Sequence, residues 1–348
     1  MISVLFYGFL HCSVYRMRSG SNCGSRIVDS PLGNVEIINC VFSEMKSDSN
    51  GGVISYKDKT GVYVSLQDCM FDHCQSSKGG GAIYFTCPTD SSFDTKRVCG
   101  YLCHGMFMHF GFFQVSNGKS NTYELVTINH CYNNTDEGHW DTFCIQGGNQ
   151  KVNGVNSSKN IGIESPGMHS IQPESLQASF CTFAHNFALE DYIVSFQSGL
   201  SVLYLSYANI INSSFVSGYT GVLSSSSNDV RVSNCVFVGN MKALFAANEN
   251  GKITVSDSVI CHIKGNITKG SVTMGQNITI TNDENIPTLG FTHYVTYYCF
   301  ADKPFSGDSP IWHSVLIIAS VVSVIVFLVV VYFNSNFFNK QLDGYSKA

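Results

Sequence analysis

A short phrase returns along this chain: a polar residue, usually Asn or Asp, then Cys or Ser, then a variable residue, then an aromatic or a large aliphatic. It stands at Asn39-Cys40-Val41-Phe42, Asp68-Cys69-Met70-Phe71, Asn129-His130-Cys131-Tyr132, Asn212-Ser213-Ser214-Phe215, Asn234-Cys235-Val236-Phe237 and Asp257-Ser258-Val259-Ile260, with Phe180-Cys181-Thr182-Phe183 as a degenerate copy. The anchors Phe42, Phe71, Tyr132, Phe183, Phe215, Phe237 and Ile260 are 29, 61, 51, 32, 22 and 23 residues apart, so two gaps are near-doubles of one unit. A period of about 25 to 30 residues belongs to a solenoid, in which each unit buries its apolar face only against its neighbours.

The residues around the phrase decide which solenoid. Val62-Tyr63-Val64-Ser65-Leu66 and Val230-Arg231-Val232-Ser233 alternate with the period of a strand, and no helical period of adequate length appears. A second phrase, Gly51-Gly52-Val53-Ile54, Gly79-Gly80-Gly81-Ala82-Ile83 and more loosely Gly221-Val222-Leu223, supplies sharp turns that start new strands. The expectation is an all-β, single-stranded parallel β-helix over residues 25–285, with about ten coils stacked about 4.8 Å apart. Like residues then stack on like, aromatics in a column and Asn in amide ladders. The polar run Thr281-Asn282-Asp283-Glu284-Asn285 suits a terminal cap.

Ile311–Phe333 is apolar, carries His313 near its start, and has Trp312 and Tyr332 near its ends. Its length and its β-branched residues without an amphipathic face predict a transmembrane α-helix. Residues 286–310 then form a membrane-proximal stalk, and 334–348 a short cytoplasmic tail. Lys340 and Lys347 against Asp343, compared with Lys303 against Asp302 and Asp308, give a slight positive-inside bias toward that orientation. Sequons at Asn133, Asn156, Asn212, Asn266 and Asn277 all precede the span and are glycosylation candidates. Residues 1–24 form an N-terminal segment. Its part Met1–Tyr15 has the apolar stretch Ile2–Leu10 but no basic residue ahead of it, and reads either as a signal peptide or as a first strand. The location that follows is the plasma membrane, single-pass, with the ectodomain outside.

Only 13% of residues are charged and the net charge is −5, with 31 glycines. No basic tract tracks a phosphate backbone, which argues against nucleic acid as a partner. Of the 14 cysteines, Cys40, Cys69 and Cys235 share one site of the repeat and are expected inside as small apolar side chains. Cys87, Cys99 and Cys103 flank Pro88, Asp90 and Ser91 in a stretch that reads as a loop leaving the rod, with one disulfide within it. The rival reading, Cys99, Cys103, His104 and His109 as zinc ligands, matches no standard spacing.

Parallel β-helices include polysaccharide lyases and hydrolases, whose chemistry needs paired carboxylates. Asn134-Thr135-Asp136 resembles the first acidic motif of polygalacturonases, and Glu137, His139 and Asp141 crowd behind it. No paired Asp-Asp, Gly-His-Gly or Arg-Ile-Lys motif follows, and an acidic solvated loop is the favoured reading. His73, His130 and His185 fall at turns beside repeat anchors, and Glu190-Asp191 reads as an exposed pair. The chain is expected to be a non-enzyme without cofactor or metal.

Gly80-Gly81-Ala82-Ile83, with Phe183-Ala184-His185-Asn186 and Phe237-Val238-Gly239-Asn240, resembles the repeats of chlamydial polymorphic outer-membrane proteins. Closer still are the polymorphic-membrane-protein-like surface proteins of trichomonad-type protists, which pair such repeats with one C-terminal helix. The resemblance covers roughly residues 35–333. It implies a right-handed, pectin-lyase-like β-helix displayed at the cell surface, with adhesion as its role. The expected partners are the lipid bilayer, through one helix, and a protein or glycan ligand on host, matrix or cell surfaces. A carbohydrate-active enzyme and a structural or antigenic coat without a specific ligand stand as the alternatives. Residues 86–103 and 133–158, where the repeat is interrupted, are the candidate binding loops.

Overall fold

The computed structural model describes residues 14–18, 26–28, 33–132, 141–199, 201–216, 221–239, 243–261, 266–283, 286–295 and 299. Among them every regular element is a strand, and every strand pairing is parallel. The chain winds as a β-solenoid with three walls per coil. The first two walls form an 18-stranded sheet creased along its length, and the third is a 10-stranded sheet. Two three-stranded sheets of two-residue strands fill part of the corner between them.

One interior column of the first wall runs Ile37, Leu66, Thr95, Tyr123, Val152, Ala178, Leu205, Val232, Val255 and Met274, each paired with the next. Its steps are 29, 29, 28, 29, 26, 27, 27, 23 and 19 residues, so the coils shorten toward the C-terminal end.

The crease between the first two walls explains the Asn or Asp of the repeated phrase. Asn39, Asp68, Arg97, Leu125, Gly154, Phe180, Tyr207, Asn234, Asp257 and Asn277 occupy this site, with φ between 47° and 69° throughout. Asn and Asp tolerate the left-handed region best among residues with a Cβ, which accounts for Asn39, Asp68, Asn234, Asp257 and Asn277. The residue after the crease turns inward, and there Cys40, Cys69, Cys181 and Cys235 are buried thiols. Burial pushes Cys181 and Cys235 up to about 12, so they act as small apolar groups. A second left-handed column turns the corner after the second wall, and it includes His73, His130 and His185. These histidines are therefore turn residues. The glycine phrase closes the same corner at its far end, before the third wall: Gly51 has φ 67°, and a Cβ there would lie 2.0 Å from the Ile54 carbonyl oxygen. Ile54–Lys57 and Ile83–Cys87 start directly after it.

The aromatic file lies in the second wall, and its register is Phe42, Phe71, Gly100, Ile128, Ser157, Phe183, Ile210, Phe237 and Ile260. Phe42 and Phe71 stack at 5.2 Å. Two anchors expected from the sequence are not in it: Ile128 stands where Tyr132 was placed, and Ile210 where Phe215 was placed. Phe215 pairs instead with Ala188, in the small corner sheet. The file is interrupted at Gly100 because Phe110 crosses from the third wall to fill that space, leaving 2.3 Å to any Cβ. Phe93, Phe113, Tyr123 and Phe143 continue this filling with centroid separations of 4.8 to 5.7 Å.

At the corner after the second wall, one inward column changes chemistry along the axis. Cys74, Cys103 and Cys131 donate thiols to the carbonyls of Phe42, Phe71 and Gly100, one coil back. Asn160 and Asn186 follow as the expected amide ladder. Cys131 N donates to Asn160 Oδ1 (2.8 Å) and Asn160 N to Asn186 Oδ1 (3.0 Å), while the two amides donate to the Ile128 and Ser157 carbonyls. Buried corner amides thereby find partners without water.

Two regions expected as loops are mostly wall. Ile83–Cys87 and Ser92–Tyr101 leave only a short turn between them, and Asp141–Gln146, Asn149–Asn153 and Asn156–Ser158 are strands. Alternating inward and outward residues keep both segments in register despite their weak motif. Val14–Arg18 pairs with Asn34–Ile38, so strand pairing begins within the segment assigned to 1–24. The segment 311–333 expected to span a membrane, and the expected tail 334–348, lie outside the described residues. Among the described residues no helix is long and apolar enough to cross a membrane.

Residues 286–295 and 299, expected in a stalk, lie back along the outside of the second wall. Leu289 and the Asn209 side chain exchange two hydrogen bonds (2.8 and 2.9 Å). One coil earlier His293 Nε2 meets Thr182 Oγ1 at 2.8 Å, and farther along Thr127 Oγ1 donates to the Tyr294 carbonyl at 2.6 Å. A disulfide between Cys99 and Cys299, 200 residues apart with Cα atoms at 6.0 Å, fastens this strap. The outward column it follows is Cys99, Thr127, Asn156, Thr182 and Asn209. Thus Cys99 is disulfide-bonded, but to a distant partner. Cys87 and Cys103 are buried in the core, while Cys99 faces outward to Cys299. Asn156 lies beneath the strap at 1% exposure, where no glycan fits.

Candidate functional site

Outside the strap, the first wall presents an open column one register position from the core: Ser65, Asp94, Thr122, Lys151, Gln177, Tyr204 and Arg231. Its last four members are exposed. The Arg231 guanidinium lies over the Tyr204 ring at 5.9 Å, and beside them at the crease the exposed Phe180 and Tyr207 stack at 5.3 Å. Such rows arise because outward residues of successive coils repeat at the strand spacing.

Around the corner toward the third wall, a groove of about 630 Å³ crosses successive coils, with Asp90, Gln114, Asn117, Gln146, Gln172 and Glu174 among its lining. Its carboxylates are engaged: Asp90 pairs with Lys119 Nζ at 2.6 Å, and Glu174 Oε2 accepts from Gly118 N at 2.6 Å. The groove is shallow, and side-chain amides, carboxylates and backbone of several coils share its lining.

A separate buried cluster lies on the third wall. Asp141, Cys144 and His169 approach one another from two adjacent coils, with His169 Nδ1 2.9 Å from Asp141 Oδ2. Burial opposes protonation of His169, but the Asp141 carboxylate overrides it and raises the imidazole above its ordinary value. Glu164 nearby is raised by its own burial and then by the charge of Asp141.

The sequence-derived site residues are dispersed by the fold. Asn133, Asp136, Glu137 and His139 lie outside the described residues, and Asp141 is in the buried cluster rather than an acidic surface loop. Asn212, Asn266 and Asn277 are exposed. Cys99, sealed in its disulfide, does not join Cys103, His104 and His109 as a ligand set. Cys144, His169 and Cys299 carry no motif in the sequence. The only signal for the first two would have been the parallel register that pairs Cys144 with His169. No protein-family model, no curated protein and no solved structure matches the chain.

Proposed function

We propose that this chain is a single-pass cell-surface protein whose β-solenoid stands outside the plasma membrane and binds host, matrix or other cell surfaces in the manner of an adhesin. The observation that carries this reading is the groove across several coils, beside an open column of stacked polar and aromatic side chains. A ligand with its own linear repeat, a glycan or an extended polypeptide, gains one set of contacts per coil on such a wall. The membrane anchor in this reading is Ile311–Phe333. A right-handed, pectin-lyase-like winding follows from the strong right-handed preference of parallel crossovers. The resemblance to polymorphic-membrane-protein-like surface proteins gives the same assignment.

The test is binding of the full-length chain, reconstituted in vesicles, to glycan arrays and to cells. A graded signal that falls about tenfold or more in the Gln114→Ala/Gln172→Ala variant supports the groove, since two lost hydrogen bonds of about 1 kcal/mol each suffice for that. Binding to nothing would assign the protein to a structural coat. Equal binding by the variant would remove the groove from the account.

A further inference from the structure

Asp141, Cys144 and His169 serve none of the structural ladders and touch neither binding surface. Asp141 and Cys144 belong to the strand Asp141–Gln146, and His169 sits opposite Cys144 in the next coil. One donor atom from each, a carboxylate oxygen, a thiol sulfur and an imidazole nitrogen, lies within 4.8 Å of the other two. The Asp141 and His169 side chains are 4% and 6% exposed, and Cys144 is fully buried.

One feature of this cluster goes beyond an ordinary ion pair. Asp141 Oδ1 is buried and has no hydrogen-bond donor, whereas buried carboxylate oxygens ordinarily accept at least one. In addition, both imidazole nitrogens face oxygen: Nδ1 meets Asp141 Oδ2 at 2.9 Å and Nε2 meets Gln197 Oε1 at 3.3 Å. A neutral imidazole has one N–H. With Nε2–H donating to Gln197, Nδ1 faces the carboxylate either through a proton, as in an ion pair, or through a metal ion that replaces that proton. An amide oxygen that orients the far nitrogen of a histidine is also the usual outer support of a metal-bound imidazole.

We propose that Asp141, Cys144 and His169 bind a divalent transition-metal ion of the zinc type through a carboxylate oxygen, the thiolate and Nδ1. The mixed oxygen, sulfur and nitrogen set disfavours calcium and magnesium, which take oxygen ligands. Three protein ligands leave a fourth position for water or for a further donor. Binding displaces the thiol proton of Cys144 and any proton held between His169 and Asp141, and both pass to solvent without a change of oxidation state. Gln197 is a positioning residue for the imidazole.

The test uses the full-length chain in detergent, stripped with chelator and titrated with cobalt(II) as a spectroscopic stand-in for zinc. The expected result is one cobalt per chain with a thiolate-to-metal charge-transfer band, lost in Cys144→Ser. A second expected result is cobalt affinity about 10- to 100-fold weaker in Gln197→Leu. Absence of cobalt uptake would overturn the proposal, leaving a buried histidine–carboxylate pair beside a thiol. So would a band that survives in Cys144→Ser and vanishes in Cys103→Ser, which would assign the metal to the corner thiols. Where Cys144→Ser does not fold, Gln197→Leu decides: unchanged affinity contradicts the site.

Discussion

The two outward columns of the creased sheet sit on the same coils, separated by one bend, and meet different fates. On the first wall, Lys151, Gln177, Tyr204 and Arg231 are long, chemically mixed and open to solvent. On the second, Thr127, Asn156, Thr182 and Asn209 are short, uniform and covered by a returning strap. Short hydroxyl and amide side chains reach a peptide backbone laid directly on the sheet, whereas long charged ones would hold it off. The difference teaches that a solenoid wall is not a binding surface by default. The chain covers one wall with its own residues and leaves the other available.

The largest expected effect comes from unfastening the strap. The Cys99–Cys299 bond closes a segment of 200 residues, and chain entropy assigns such a closure about 5 kcal/mol. Cys99→Ser/Cys299→Ser should therefore lower the denaturant midpoint substantially and expose residues 286–295 to rapid amide exchange, while exchange in Val202–Ser206 stays slow. An unchanged midpoint and a protected strap would show that the covered wall does not depend on this bond. Next comes Asn209→Ala, which deletes both hydrogen bonds to Leu289 and should cost about 1–2 kcal/mol. Tyr204→Ala, one wall away on the same coil, should stay within about 0.5 kcal/mol. Equal losses at the two sites would erase the contrast between the walls.

The smallest effect is electrostatic and belongs to the crease between the columns. Arg97 Nη2 donates to Asp68 Oδ2 at 2.7 Å, with a second contact from Nε to Oδ1. The Arg97 guanidinium holds the Asp68 carboxyl below its ordinary value of 3.8. A carboxyl depressed in the folded state contributes stability that is present above its unfolded value and is lost as pH falls through the folded one. The wild type should thus lose slightly more stability than Asp68→Asn on acidification below about pH 4, read by thermal melts at several pH values. Coincident curves for the two proteins would show that this half-buried pair adds nothing, as many surface pairs do not.

Much of the solenoid was legible because its causes are local. The left-handed crease selects Asn39, Asp68, Asn234 and Asp257, and the corner selects Gly51 and Gly80, so composition marks the turns directly. The aromatic file was legible only in part, since Phe110 reaches across from the third wall and frees Gly100 from carrying a ring. A one-dimensional pattern cannot show which wall fills a given space. The loop assignment of 86–103 failed for a related reason: Pro88, Thr89 and Asp90 mark a real turn, but the alternation Phe93, Thr95 and Val98 behind it builds a wall. The strap and the Asp141 cluster depend on contacts between distant segments, 200 residues for the disulfide and 28 for His169 with Asp141, and no local preference announces either.

The account rests on rungs stacked in register, and label-to-label distances along the open column test that most directly. Spin labels at Ser65 paired with labels at Gln177, Tyr204 or Arg231 span four, five and six rungs of the register. At about 4.8 Å per rung the backbone separations should be about 19, 24 and 29 Å, rising by one strand spacing each time. Distances that do not rise in that order, or that rise by unequal steps, would contradict the continuous winding.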